Sequence, residues 1–153
     1  MAHKGIFKPA NPNKYKGDHT NIVYRSSWEA HFFAYLDKHP YVNWWQSEEV
    51  VVKYISPKDN RIHRYFPDVI VNVTDPSTQK KRTIMIEIKP HKQTLPPDPA
   101  KRNATPSGRI SRRYLNEVMT YAINDAKWKA AREYCADRGW DFEIYTEKEL
   151  GVR

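Results

Sequence analysis

The sequence predicts an α/β (α+β) fold in which a mixed central sheet is flanked by helices. Three observations carry the expectation. Short β-rich runs with period-two alternation occupy the middle of the chain, residues 47–89, and helical periodicity appears on either side of them. At 153 residues the chain suits one compact core, and neither an internal repeat nor a break in composition divides it.

Residues 1–21 are rich in Lys, Asn, Pro and Gly and offer few apolar anchors, so they read as an irregular basic arm; residues 22–153 form the single domain. A helix is expected from Ser26, an N-cap that Glu29 completes as a capping box, to a point before Pro40. Residues 47–56 predict a strand, closed by the turn Pro57–Asn60, and a second strand covers Ile62 to Val73 with a bend at Pro67. After a turn at 75–81, a third strand runs from Thr83 to Lys89, and the short connections imply an antiparallel meander. His91 to Gly108 is a Pro-rich, basic surface loop. Helical pattern resumes near Ser111 and runs to Arg138 with a break around Asn124; Gly139 is its C-cap. A last strand at 141–145 and a helical turn at 146–150 complete the chain, an order that suits helices packed on a mixed sheet.

A formal net charge of +8 favours polyanionic partners, nucleic acid before anionic membrane. One cysteine, Cys135, excludes an internal disulfide and fits a reducing, cytosol-like compartment. No apolar run approaches a membrane span and the N-terminus lacks a signal-peptide core, so no membrane partner is expected. The six histidines show no HxH and the lone cysteine no CxxC spacing, which argues against zinc, and without a Gly-rich phosphate loop ATP use is not indicated. Trp44 and Trp45 read as packing residues.

The chemistry centres on Ile84-Met-Ile-Glu-Ile-Lys-Pro90. In a strand, Ile84, Ile86 and Ile88 face one way and Met85, Glu87 and Lys89 the other, which presents a carboxylate and an amine together at the strand's end. Asp68 lies nineteen residues before Glu87 with one turn between, so a hairpin sets the two carboxylates side by side. Such a pair repels unless a cation lies between, and hard oxygen ligands suit Mg2+ or Mn2+. On the first helix Trp28, Phe32, Leu36 and Phe33 fall at about 0°, 40°, 80° and 140°, with Glu29 near 100°, inside the apolar arc. Two accounts of Glu29 stand open, a site carboxylate and a capping-box partner of Ser26. Arg25, if helical, shares that face and is placed to hold a phosphate. Gln93 follows the third strand and is a candidate for substrate contact. Lys92, Lys101, Arg102, Arg109, Arg112 and Arg113 form a basic cluster that reads either as solvated surface or as contact with a DNA backbone.

Pro67-Asp68 followed by Glu87-Ile-Lys89 resembles the PD-(D/E)XK nuclease motif. The resemblance implies a restriction-endonuclease-like core in which Asp68, Glu87 and Glu29, with the carbonyl of Ile88, hold Mg2+, and in which Lys89 activates water and stabilises phosphate charge. More widely, Lys14-Tyr-Lys-Gly-Asp18, Asn21-Ile-Val-Tyr-Arg-Ser-Ser-Trp-Glu29, Trp45-Gln-Ser-Glu-Glu49, Tyr65-Phe-Pro-Asp68, Glu87-Ile-Lys-Pro90 with Gln93, and Lys127-Trp-Lys-Ala-Ala131 resemble the head completion nucleases of T4-like tailed phages. TnsA-like transposon endonucleases are similar in their acidic residues and lysine. This resemblance implies endo- and exonuclease action on packaged double-stranded DNA, contact with phage head or neck proteins, and a place in the host cytoplasm during assembly. A non-catalytic DNA-end-binding or structural head protein, and a host-type repair or restriction nuclease, are the alternatives.

Overall fold

The computed structural model describes residues 4–103 and 105–151; residues 1–3 of the expected arm and 152–153 of the expected domain lie outside these. In chain order the elements are β1 (Gly5–Phe7), β2 (Ile22–Tyr24), α1 (Ser27–Lys38), β3 (Val42–Gln46), β4 (Val52–Ile55), β5 (Ile62–Tyr65), β6 (Val69–Thr74), β7 (Lys81–Ile88), α2 (Arg112–Arg138), β8 (Asp141–Tyr145) and α3 (Glu147–Leu150). The expected fold class is what the chain adopts. Strands β3, β6, β7 and β8 form a four-stranded sheet in the order β3-β6-β7-β8, antiparallel except for the parallel β7–β8 pair.

Strand alternation builds two cores from one sheet. Val69, Val71, Ile84 and Ile86 face α1 and pack with Phe32, Phe33, Leu36 and Trp45. Ile70 and Met85 face the other way, onto Ala131 and Cys135 of α2. The same second core takes Val52, Tyr54 and Tyr65 from a separate hairpin, β4–β5, which packs on α2. With both faces covered, the centre of β7 reads as a continuous apolar run.

The structure differs from the sequence expectations in four places. The strand expected at 47–56 is confined to β4, and the sheet begins earlier, with β3 and its two tryptophans. The strand expected from Ile62 to Val73 is two strands in two sheets, because Pro67 has no N–H to give a ladder and the chain changes partners there. The antiparallel meander is therefore replaced by a hairpin plus a sheet. The helix has no break at Asn124; α2 runs unbroken for 27 residues, with Asn124 buried, Ser111 capping its start and Gly139 (φ 71°) its end. Asn costs a helix only tenths of a kcal/mol, which packing overrides.

The fourth difference is the N-terminal segment, which is ordered rather than an irregular arm across the described residues. β1 pairs with β2, Phe7 meets Phe33 and Trp45 edge-on at 5.8 and 6.0 Å, and Tyr15 is buried edge-on against Trp45 at 4.8 Å. A buried carboxylate anchors it. Asp37 accepts the backbone N–H groups of Ala10 (2.9 Å) and Asn11 (3.0 Å). Lys14 donates to the carbonyls of Asp37 (3.2 Å) and His39 (2.8 Å), where the C-terminus of α1 carries partial negative charge. Among the described residues no helix is long and apolar enough to cross a membrane.

Candidate active site

One end of the sheet gathers the chemistry. β6 and β7 pair with Val69 opposite Ile86, so one step further along the same register sets Asp68 beside Glu87. Pro67, buried and fixed in φ, carries the chain into that position. The Asp68 carboxylate then accepts the Ile88 N–H at 2.8 Å, which fastens it to β7. Glu87 is buried, accepts the Tyr65 hydroxyl, and lies 3.4 Å from the Lys89 ammonium. Lys89 is held in turn by its own N–H, which donates to the Tyr145 carbonyl at 2.9 Å and prolongs the β7–β8 pairing.

The start of α1 supplies a further carboxylate. Ser26 caps the helix by accepting the Glu29 N–H at 3.2 Å. Glu29 does not close the capping box on Ser26. Its side chain accepts the Arg25 N–H at 3.4 Å and stays buried, 8% exposed, as its place in the apolar arc requires. Arg25 is not helical. It precedes the cap, and its guanidinium forms a paired hydrogen bond with Glu48, 2.9 Å at each nitrogen.

Glu48 is the carboxylate that sequence reasoning missed. Oxygen atoms of Glu29, Glu48 and Asp68 all lie within 4.8 Å of one another, an arrangement able to surround a metal ion. Glu48 sits outside any strand in left-handed backbone (φ 55°), where no periodicity could mark it. Its N–H donates to the Pro67 carbonyl at 3.3 Å, and Tyr15 braces the same segment through Ser47 (3.1 Å) and Glu49 (2.8 Å). Tyr65 was likewise given no role, although it opens the Tyr65-Phe-Pro-Asp68 block.

The electrostatics fit a site built for positive charge. Asp68 keeps some exposed surface, yet its carboxyl lies deep among protein atoms. That burial, then the neighbouring Glu87 charge, push it well above the ordinary carboxylate range. Burial first, with Glu48 and Glu87 behind it, pushes Glu29 up as well. Tyr65 is raised by burial and by Glu87, so it remains a protonated donor. The three donors of Glu29, Glu48 and Asp68 are hard carboxylate oxygens, a set that suits a hard divalent cation.

The remaining expected residues lie around this centre. Ile88 gives its N–H to Asp68 while its side chain packs toward the α1 core. Lys92 and Gln93 are exposed on a short 3-10 turn, His91–Thr94, directly after Lys89. Arg109 lies in the exposed loop, and Arg112 and Arg113 in the first turn of α2, also exposed; Arg113 pairs with Glu117 at 3.3 Å. Among the described residues no hydrogen bond or ion pair links these arginines to the carboxylate cluster.

Comparison with known proteins follows the same lines. Residues 39–147 match a family model described as the N-terminal part of TnsA-like endonucleases, a span that holds Glu48, Asp68, Glu87 and Lys89. The chain is 40% identical over 150 residues to the head completion nuclease of Enterobacteria phage T4, covering 98% of this chain and 95% of the phage protein.

Proposed function

The chain belongs to the TnsA-like endonuclease family, and from that premise we propose that it is a Mg2+-dependent DNA nuclease, able to use Mn2+, acting on packaged double-stranded DNA during phage head completion. The observation that carries the reading is the convergence of Glu29, Glu48 and Asp68, with Glu87 and Lys89 beside them, at one sheet end. Asp68, Glu87 and Glu29, with the Ile88 carbonyl, are the groups that would hold the ion, and Glu48 stands with them. When bound, the ion supplies Lewis acidity, which makes water nucleophilic near neutral pH and offsets charge on the phosphate.

The protein's own groups do the rest. Lys89 orients the attacking water and offsets charge that builds on the phosphate oxygens. Tyr65 keeps Glu87 in place by donating to it. Arg25 holds a phosphate next to the carboxylates. Gln93 and Lys92 contact the substrate beyond Lys89, and Arg109, Arg112 and Arg113 contact the DNA backbone. Head or neck proteins are its partners and both endo- and exonucleolytic cleavage its activities, with the host cytoplasm its place of work during assembly.

The test is cleavage of linear, nicked and supercoiled DNA with Mg2+, Mn2+ or chelator. Wild type should cut only with metal, and Asp68→Ala and Lys89→Ala should lose activity while keeping their circular dichroism. Wild-type protein inert on every DNA form and metal would refute the reading.

A further inference from the structure

Helix α2 changes character along its length. Its second half buries Trp128, Ala131 and Cys135 against the sheet and hairpin. β8 follows α2 and runs parallel to β7, so the start of α2 lies at the end of the sheet that carries the carboxylates. Residues 112–120 are exposed apart from a half-buried Tyr114, and this first third overhangs the catalytic end. At about 100° per residue, Arg113, Thr120 and Lys127 project within roughly 40° of the direction of buried Ala131, and Asn116 within about 60°. Leu115 and Ala122 project to the opposite side. Glu117 projects within about 40° of that direction too and pairs with Arg113, so the side that is apolar where α2 covers the sheet becomes polar and of mixed charge in the exposed first third, and Lys127 is its cation outside an ion pair among the described residues.

Lys127 stands at the change. Its ammonium lies 5.7 Å from the ring centre of Tyr65 and 5.9 Å from that of Tyr54, and Tyr65 is the residue that donates to Glu87. The ion pairs within α2 are Arg113–Glu117 and Lys129–Asp125; Lys127 is in none among the described residues. A half-buried lysine whose ammonium lies within about 6 Å of two aromatic rings, one of them the ring whose hydroxyl donates to Glu87, has its charge beside the carboxylates with no anion paired to it among the described residues.

We propose that the inner side of α2, with Lys127 nearest the carboxylates and Thr120, Asn116 and Arg113 beyond it, is the wall that positions the backbone of duplex DNA next to the scissile phosphate. This rests on the nuclease reading above and adds Lys127 as a positioning residue. From Lys127 to Arg113 the helix rises about 21 Å, the axial length of about six base pairs. A phosphate backbone meets this row through the Lys127 ammonium and the hydrogen-bond donors of Thr120 and Asn116, and reaches Arg113 only in exchange for Glu117; Lys127 acts through binding rather than through the chemical step.

The experiment is fluorescence anisotropy of a labelled duplex titrated with full-length protein in chelator, over a range of salt. Lys127→Gln should weaken binding about three- to tenfold and reduce the log–log salt slope by about 0.9, the share of one phosphate contact. Lys129→Gln removes the same formal charge from the outer side of α2 and should change neither, and Lys127→Arg should restore most of the binding. With Mg2+, Lys127→Gln should raise KM and leave kcat within about twofold. A wild-type slope in Lys127→Gln, or an equal loss in Lys129→Gln, would overturn the proposal while leaving the nuclease reading intact. Wild-type protein that binds no duplex in chelator would overturn the proposal, and wild-type protein that also cuts no DNA with Mg2+ would overturn both.

Discussion

Replacing Asp68 by Asn should stabilise the metal-free protein. The Asp68 carboxylate shares a space of 4.8 Å with those of Glu29 and Glu48 and neighbours Glu87. Arg25 already balances Glu48 and Lys89 lies against Glu87, which leaves Glu29 as the neighbouring charge with no cation beside it among the described residues. At an effective dielectric constant near 20, two unit charges 4.8 Å apart repel by about 3.5 kcal/mol, and partial solvent access lowers the net relief to about 2 kcal/mol. Asn still accepts the Ile88 N–H, so the tie to β7 survives. For a chain of this size the gain corresponds to a Tm higher by roughly 4–8 °C in chelator. The order should reverse as Mg2+ is added. An ion at one hundred times its Kd stabilises wild type by about 2.7 kcal/mol, and the variant, short of a ligand charge, gains less. The pH dependence has a definite sign. Asp68 and Glu29 hold their protons more tightly folded than unfolded, so metal-free stability falls as pH rises from the ordinary carboxylate range through their raised values. Differential scanning fluorimetry with chelator and with Mg2+ reads all of this. A variant that melts below wild type in chelator and responds to Mg2+ as wild type does would refute the argument.

Three further outcomes are expected. Tyr65→Phe removes the donor to buried Glu87 and should cost about 1–3 kcal/mol in urea unfolding, together with much of the nuclease activity; a cost under about 0.5 kcal/mol would show that the hydroxyl does not hold Glu87. Asp37→Ala orphans the N–H groups of Ala10 and Asn11 and should cost about 2–3 kcal/mol, with faster tryptic cleavage at Lys14 and Lys16; unchanged cleavage would mean that the segment is anchored by its aromatic contacts alone. Burial pushes the Cys135 thiol up to about 11, so thiol reagents should label it at neutral pH only as the protein unfolds, and rapid labelling of native protein would contradict its burial between α2 and the sheet.

The sequence by itself determined what depends on local pattern. Ser26 and Ser111 placed two helix starts within a residue, because an N-cap is a contact across three positions of the same chain. Strand parity put Glu87 and Lys89 together, and the apolar arc of α1 turned Glu29 inward. Tertiary structure alone decided the contacts between distant segments. The split of the expected strand at Pro67 follows from which partners each half finds, and the N-terminal segment is ordered because Asp37, some 26 residues away, accepts its amides. Arg25 was expected on the helix, yet it sits before the cap in a pair with Glu48. Glu48 itself lies in a left-handed turn with no period to betray it, and only the folding of that turn against Pro67 brings its carboxylate beside Glu29 and Asp68. Periodicity reports which way a side chain faces along its own element; it carries no information on which other element will be there to meet it.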